Sequence, residues 1–214
     1  MNPLQNNPNT HDDAALAAVE MTGTSRQAFL LRAALAAGAL YGSAMVSPFV
    51  RNAIAQTGMG DVDILNYALT LEYLESDFYK QAAKLGLSSE VAKIAKDFGK
   101  AEQEHVDALA ATIKKLGGKP VTSPKFKFPM TDEKSFLKLA VTLEDTGVSA
   151  YNGAAPQIMS KEVLGAAGSI VQVEARHAAI VRMLNGQVPA PDAFDRSLTD
   201  KQVLAAVKPL IASS

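Results

Sequence analysis

The sequence predicts an all-α protein: four long amphipathic helices in two antiparallel pairs, followed by a short C-terminal helix. Three observations carry this. Apolar residues recur at three- and four-residue spacing from about 63 to 185, and no segment sustains the alternation of a strand. The connections run short, long, short. The second helix pair repeats the chemistry of the first at a fixed offset. Composition agrees. About half of the 214 residues are apolar (48%), alanine and leucine dominate, and tryptophan is absent.

The first helix is expected over Asp63–Leu85, with Ile64, Tyr67, Leu71, Leu74, Phe78, Ala82 and Leu85 on one face and Gly86 as its stop. Ser88 or Ser89 caps the second, whose stripe runs Val91, Ile94, Phe98, Leu109, Ile113, Leu116 until Gly117-Gly118-Lys119-Pro120 ends it. The third starts at Thr131-Asp132-Glu133, where acids in the first turn suit the helix dipole, and runs to about Ala155, before Pro156. The fourth spans about Lys161 to Asn185-Gly186. A last one, Thr199–Ile211, sets Val203, Leu204, Val207 and Leu210 on one side. A helix of about 27 residues is roughly 40 Å long. The connection from Gly117 to Met130, about 14 residues, reaches roughly 46–50 Å when extended. It can therefore cross the whole length of the bundle.

Charge and composition exclude several function classes. The formal charge is −1, with no basic run, so nucleic acid is not an expected partner. Without cysteine there are no disulfides, thiolate metal sites or cysteine nucleophile. Residues 1–55 read as a leader and 56–214 as the folded domain. Met1–Thr24 is polar and expected to be disordered. Ser25-Arg26-Gln27-Ala28-Phe29-Leu30-Leu31-Arg32 is a basic start, Ala33–Val46 a mild apolar run, and Ala53-Ile54-Ala55 a small-x-small cleavage site before Gln56. The order is that of a secretory signal. The Ser-Arg-x-x-Phe-Leu frame resembles a twin-arginine export signal, with Gln27 in place of the second arginine. The competing expectation is a packed or anchoring helix. Gly38, Gly42, Ser43 and Pro48 interrupt the run, however, and it falls short of the roughly 20 apolar residues of a spanning helix. The expectation is an exported protein, periplasmic or extracellular.

The chemistry lies where the helical pattern places ionisable residues in the core. In the second helix Glu102 and His105 interrupt the stripe between Phe98 and Leu109. In the fourth, Glu174 and His177 do the same between Val171 and Val181. Both are Glu-x-x-His, a spacing that puts the two side chains on one face a turn apart. The first and third helices each turn one glutamate inward, Glu72 and Glu144, followed two turns later by Tyr79 and Tyr151. The same offset of 72 residues relates Glu72 to Glu144, Tyr79 to Tyr151, Glu102 to Glu174 and His105 to His177. The chain has only three histidines and five tyrosines, and this repeat uses two of each. Buried carboxylates must be paired, protonated or metal-bound.

These residues, with Leu71-Glu72-Tyr73-Leu74-Glu75 and the leader, resemble the ferritin-like di-iron carboxylate superfamily, and within it the bacterial exported ferritin-like proteins that include desiccation-related members. The resemblance covers about Asp63 to Asn185. It implies the ferritin-like four-helix bundle with one long crossover. It also implies that Glu102 and Glu174 bridge two metals, Glu72 and Glu144 are terminal carboxylates, and His105 and His177 each bind one metal. Independently, four carboxylates and two imidazoles form a hard ligand set suited to two Fe ions, with Mn as the alternative.

Tyr79 and Tyr151 are read as core tyrosines placed to hydrogen-bond a ligand. Glu75, one turn after Glu72, is either an extra ligand or a solvated or supporting acid, the latter favoured. Glu104 and Asp145 point away from the ligands and belong to the surface. His11 lies in the leader. The implied activity is oxidation of Fe(II), or removal of peroxide, with O₂ or H₂O₂ as oxidant. The alternative is a non-enzymatic stress or desiccation protein whose metal stabilises the bundle. The export machinery is an expected partner, and a homo-oligomer a possible one.

Overall fold

The computed structural model describes residues 60–212. The expected leader, residues 1–55, lies outside these residues. The described chain forms α1 (Asp61–Ala82), α2 (Ser89–Lys115), α3 (Glu133–Ala154), α4 (Lys161–Leu184) and α5 (Asp200–Val207), with 3₁₀ turns at Ala155–Gln157 and Lys208–Leu210. Among the described residues there is no strand, only one bridge between Phe126 and Ile211. None of the described helices is long and apolar enough to cross a membrane.

Two boundaries differ from the sequence expectation. The first helix stops at Ala82 because i→i−3 bonds tighten its last turn, Lys84 N donating to Gln81 O and Leu85 N to Ala82 O. The last helix gives way to a 3₁₀ turn at Lys208, since Pro209 has no N–H to continue an α-helix. The other ends follow local chemistry. Asp132 and Ser135 form a capping box on α3, Thr199 and Gln202 another on α5, and Ser160 Oγ accepts from Val163 N on α4. Gly117 and Gly186 adopt φ +78 and +71 after α2 and α4. There Gly118 N reaches Ile113 O and Gln187 N reaches Arg182 O, closing both helices in the same way.

Helices α1 and α2 lie antiparallel: a Cβ on Gly118 would meet Val62, and one on Gly99 would meet Tyr79, at opposite ends of the pair. The crossover is tied to α1 at both ends. Asn66 holds Lys119 O and Val121 N near the start of α1, and Gln81 Nε2 donates to Phe126 O near its end. The crossover therefore runs the length of α1, and α3 starts beside the α1–α2 turn, where Ser88 N donates to Glu133. This sets α3 antiparallel to α1. At the other end, Asp61 accepts from Met159 N and Ser160 N, both at 2.8 Å, joining the start of α1 to that of α4. The tail then returns to the crossover, with Lys127 N donating to Leu210 O and Ala212 N to Lys125 O.

Two apolar clusters fill the bundle. One is rich in aromatic rings and gathers Phe78, Phe98, Phe126, Phe128 and Phe136 with residues of α5; the other gathers Leu65, Leu69, Leu109, Ile113, Val163 and Ile170. Replacing Asp132 with Ala removes the capping box of α3. It is expected to lower folding stability by about 1 kcal/mol, measured by urea denaturation of the full chain.

Candidate metal centre

All six sequence-predicted ligands converge between the four long helices. Glu72, Glu102, Glu144 and Glu174 are essentially inaccessible to solvent, and His177 is nearly so. The amphipathic pattern of each helix forces this, because each glutamate occupies a position on the apolar stripe. Two overlapping groups result, each with one donor atom per residue and all donors within 4.8 Å of one another. Glu72, Glu102, His105 and Glu174 form the first; Glu102, Glu144, Glu174 and His177 form the second. Glu102 and Glu174 belong to both.

His105 Nδ1 lies 3.2 Å from Glu72 Oε2, 3.0 Å from Glu102 Oε2 and 3.2 Å from Glu174 Oε1. His177 Nδ1 lies 2.8 Å from Glu102 Oε1 and 3.6 Å from Glu144 Oε2. The His177 contacts, and that of His105 with Glu174, are close without the alignment of hydrogen bonds. Among the described residues, Glu102 Oε1, Glu144 Oε2, both oxygens of Glu174 and His177 Nδ1 are buried with no hydrogen-bond partner. Native interiors rarely leave such groups unsatisfied. Five orphaned donor atoms facing a common space are what a cation would satisfy, so the residues fit a pair of metal ions.

Protonation takes up part of that role in the protein alone. Burial drives the His105 imidazole toward neutrality, but contacts with Glu102, Glu174 and Glu72 outweigh it and raise its pKa to about 12. The same balance lifts His177 to about 9, through Glu102 and Glu144. Glu102 is pushed up by burial, yet both imidazoles bring it down to about 2. Burial raises Glu72 to about 7 despite His105.

The two tyrosines touch the site crosswise. Tyr79 Oη on α1 donates to Glu144 on α3, and Tyr151 Oη on α3 donates to Glu72 on α1. The antiparallel relation of α1 and α3 makes these contacts reciprocal: each tyrosine serves the glutamate of the other helix, not the one two turns back on its own. The Phe98 ring stacks on His177 at 3.8 Å.

Glu75 is buried, which removes the solvated half of its expectation and leaves the supporting acid or extra ligand. It is 3% exposed. Burial, then the charges of Glu174, Glu144, Glu102 and Glu72, raise its pKa well above the carboxylate range. Its room comes from Gly147, where a Cβ would stand 2.9 Å from Glu75 Oε1 and 3.5 Å from Glu174 Oε2. The repeat offset held the signal, since it pairs Glu75 with Gly147. Glu104 is on the surface beside Lys100. Asp145 is partly exposed and bound by Arg182. His11 lies outside the described residues.

Comparison with known proteins agrees with this architecture. A family model described as ferritin-like domain matches residues 60–187. The chain is similar in structure to a conserved hypothetical protein from Mycobacterium tuberculosis, with a TM-score of 0.55 and 20% identity over 63% of this chain and 96% of the other. That likeness concerns the fold. No curated protein matches.

The raised pKa values set a pH dependence for protein stripped of metal. Glu72 titrates near 4.5 unfolded and about 7 folded, and His177 near 6.5 unfolded and about 9 folded. In both, the fold favours the protonated form, so their contribution is complete below the unfolded value and lost as pH rises through the folded one. The thermal midpoint of EDTA-treated protein is expected to fall as pH rises from 4.5 to 9, as followed by circular dichroism.

Proposed function

Because this chain belongs to the ferritin-like domain family, we propose that the cluster holds two first-row metal ions, iron with manganese as the alternative, and reacts with O₂ or H₂O₂. The observation that carries the reading is the set of five orphaned donor atoms in two overlapping four-residue groups. The overlap supports reading Glu102 and Glu174 as shared carboxylates. Glu72 with His105, and Glu144 with His177, complete the two sides. Four carboxylates balance two divalent ions, and an oxygen-rich set with two imidazoles suits Fe or Mn better than softer metals.

Two reduced metal ions held by these residues would supply one electron each, which with two protons would take H₂O₂ to two waters or O₂ to H₂O₂. The protein's own groups do the rest. Tyr79 and Tyr151 hold Glu144 and Glu72 in place by hydrogen bonds to one oxygen of each, leaving the other oxygen to the cluster. Phe98 fixes the plane of His177. Burial of the four glutamates and His177 keeps bulk water from that part of the cluster. Glu75, protonated through its burial, keeps a proton on a carboxyl beside Glu174.

Fe(II) and the oxidant are the small-molecule partners of this reading. A second reading gives the metal a structural role: the six ligands come from all four long helices, so bound metal would tie the bundle together in a stress or desiccation protein. The sequence of residues 1–55 supports export through a cleaved leader, with residues 56–214 as the mature domain.

Anaerobic reconstitution with Fe(II) or Mn(II) is expected to give about two ions per chain, the nuclearity such a ligand set serves, by elemental analysis; a value near zero rejects both readings. Glu102→Ala and Glu174→Ala should each disturb both ions, whereas His105→Ala and His177→Ala should each weaken mainly one. Metal-loaded protein that stays reduced under O₂ and H₂O₂ would leave the structural role. N-terminal sequencing of exported protein is expected to begin at or near Gln56, and an intact Met1 in the cytoplasmic fraction rejects export.

A further inference from the structure

The 72-residue repeat keeps the ligands symmetric and breaks the symmetry of their surroundings. Around Tyr79 the protein is packed with aromatic rings. Phe78, Phe98 and Phe136 stand 5.1, 5.8 and 6.1 Å from its ring, and Phe128 of the crossover closes on Phe78 at 5.2 Å. The positions related to Phe78, Phe98 and Phe136 by the repeat are Ala150, Ile170 and Ile64. These three smaller residues line a cavity of about 40 Å³ that also reaches Tyr151. The aromatic wall of one half is thus replaced, position by position, by a hole in the other. Tyr151 forms its inner end and donates to Glu72. Ala108 of α2 and Ala166 of α4, both exposed, stand at its outer end.

Size and polarity define what fits. One water needs at least about 10–15 Å³, so this space holds a molecule of two or three heavy atoms and nothing larger. The walls are almost wholly apolar. Of the hydroxyls on the lining, that of Thr112 donates to Ala108 O and that of Tyr151 to Glu72, which leaves that of Tyr67 without a partner among the described residues. A water or peroxide requires two or more polar partners, whereas apolar cavities stay dry and take up apolar guests.

We propose that this cavity binds a small apolar gas, dioxygen by chemical class, and admits it to the Glu72–His105 side of the cluster alone. The proposal rests on reading the cluster as a metal centre. It narrows the oxidant from O₂ or H₂O₂ to O₂.

Xenon is the probe for the cavity itself. Crystals of the full chain under xenon pressure should show the gas beside Ala150, and crystals of Ala150→Leu should not. In parallel, oxidation of the Fe(II)-loaded protein is followed with O₂ and with H₂O₂. Ala150→Leu, which fills the interior, and Ala108→Leu, which narrows the mouth from an exposed position, should each slow the O₂ reaction about tenfold, equivalent to about 1.4 kcal/mol of added barrier. The H₂O₂ reaction and the metal stoichiometry should be unchanged. A wild-type cavity without xenon overturns the proposal. So does equal slowing with both oxidants, or an unchanged O₂ rate in a variant that has lost the xenon site. If Ala150→Leu does not fold, Ala108→Leu carries the comparison. If the wild type takes up no metal, the reading of the cluster falls, while the xenon result still decides whether the cavity is a gas site.

Discussion

Everything in this bundle is arranged around carboxylates that cannot be left alone. Glu72, Glu102, Glu144 and Glu174 sit out of water in the middle of four helices, and Glu75 joins them. An unpaired buried charge is among the most costly features a fold can contain. The two imidazoles and two tyrosine hydroxyls offset part of that cost, and the orphaned oxygens mark the part they do not reach. Because the groups come from all four long helices, each helix must keep its rotation and axial position for the cluster to close. The fold secures this from both sides. The aromatic cluster with α5 and the crossover packs on one flank, and the leucine-rich cluster on the other. The carboxylates and imidazoles are thereby held on rigid elements between two apolar walls.

Much of this was legible in the sequence, for physical reasons. A glutamate within an apolar helical stripe is conspicuous because the stripe alone says which way it points. Two Glu-x-x-His pairs at the same offset as two tyrosines remove the ambiguity of either pair alone. What was less legible depends on how close two helices come. Glu75 is an ordinary acid one turn from a ligand until Gly147 on α3 leaves space for its carboxyl. The partners of Tyr79 and Tyr151 needed the direction of α3 relative to α1, which the crossover fixes. Spacing within one helix gives the face a tyrosine shares with a glutamate. It does not give the glutamate that its hydroxyl meets on the helix opposite.

The repeat explains both the symmetry and its failures. Each helix pair carries one Glu, one Glu-x-x-His and one tyrosine, and these positions are equal across the halves. The packing around them is not. Glu75 has Gly147 as its counterpart, and Phe98, stacked on His177, has Ile170. Two chemically equal halves therefore lie in unequal surroundings.

The unequal packing is inexpensive enough to persist. Cavities destabilise by about 24 cal/mol per Å³, so the space of about 40 Å³ beside Tyr151 costs about 1 kcal/mol. That is a small share of the stability of about 5–15 kcal/mol expected of a domain. The aromatic half more than supplies rigidity, since Phe78 and Phe136 are fully buried and stack at 5.1 Å. Filling the second half to the same density would gain little for the fold and would close the apolar approach to Tyr151 and Glu72. The halves differ in packing: one wall is filled with aromatic rings around Tyr79, and the other keeps a small apolar space beside Tyr151.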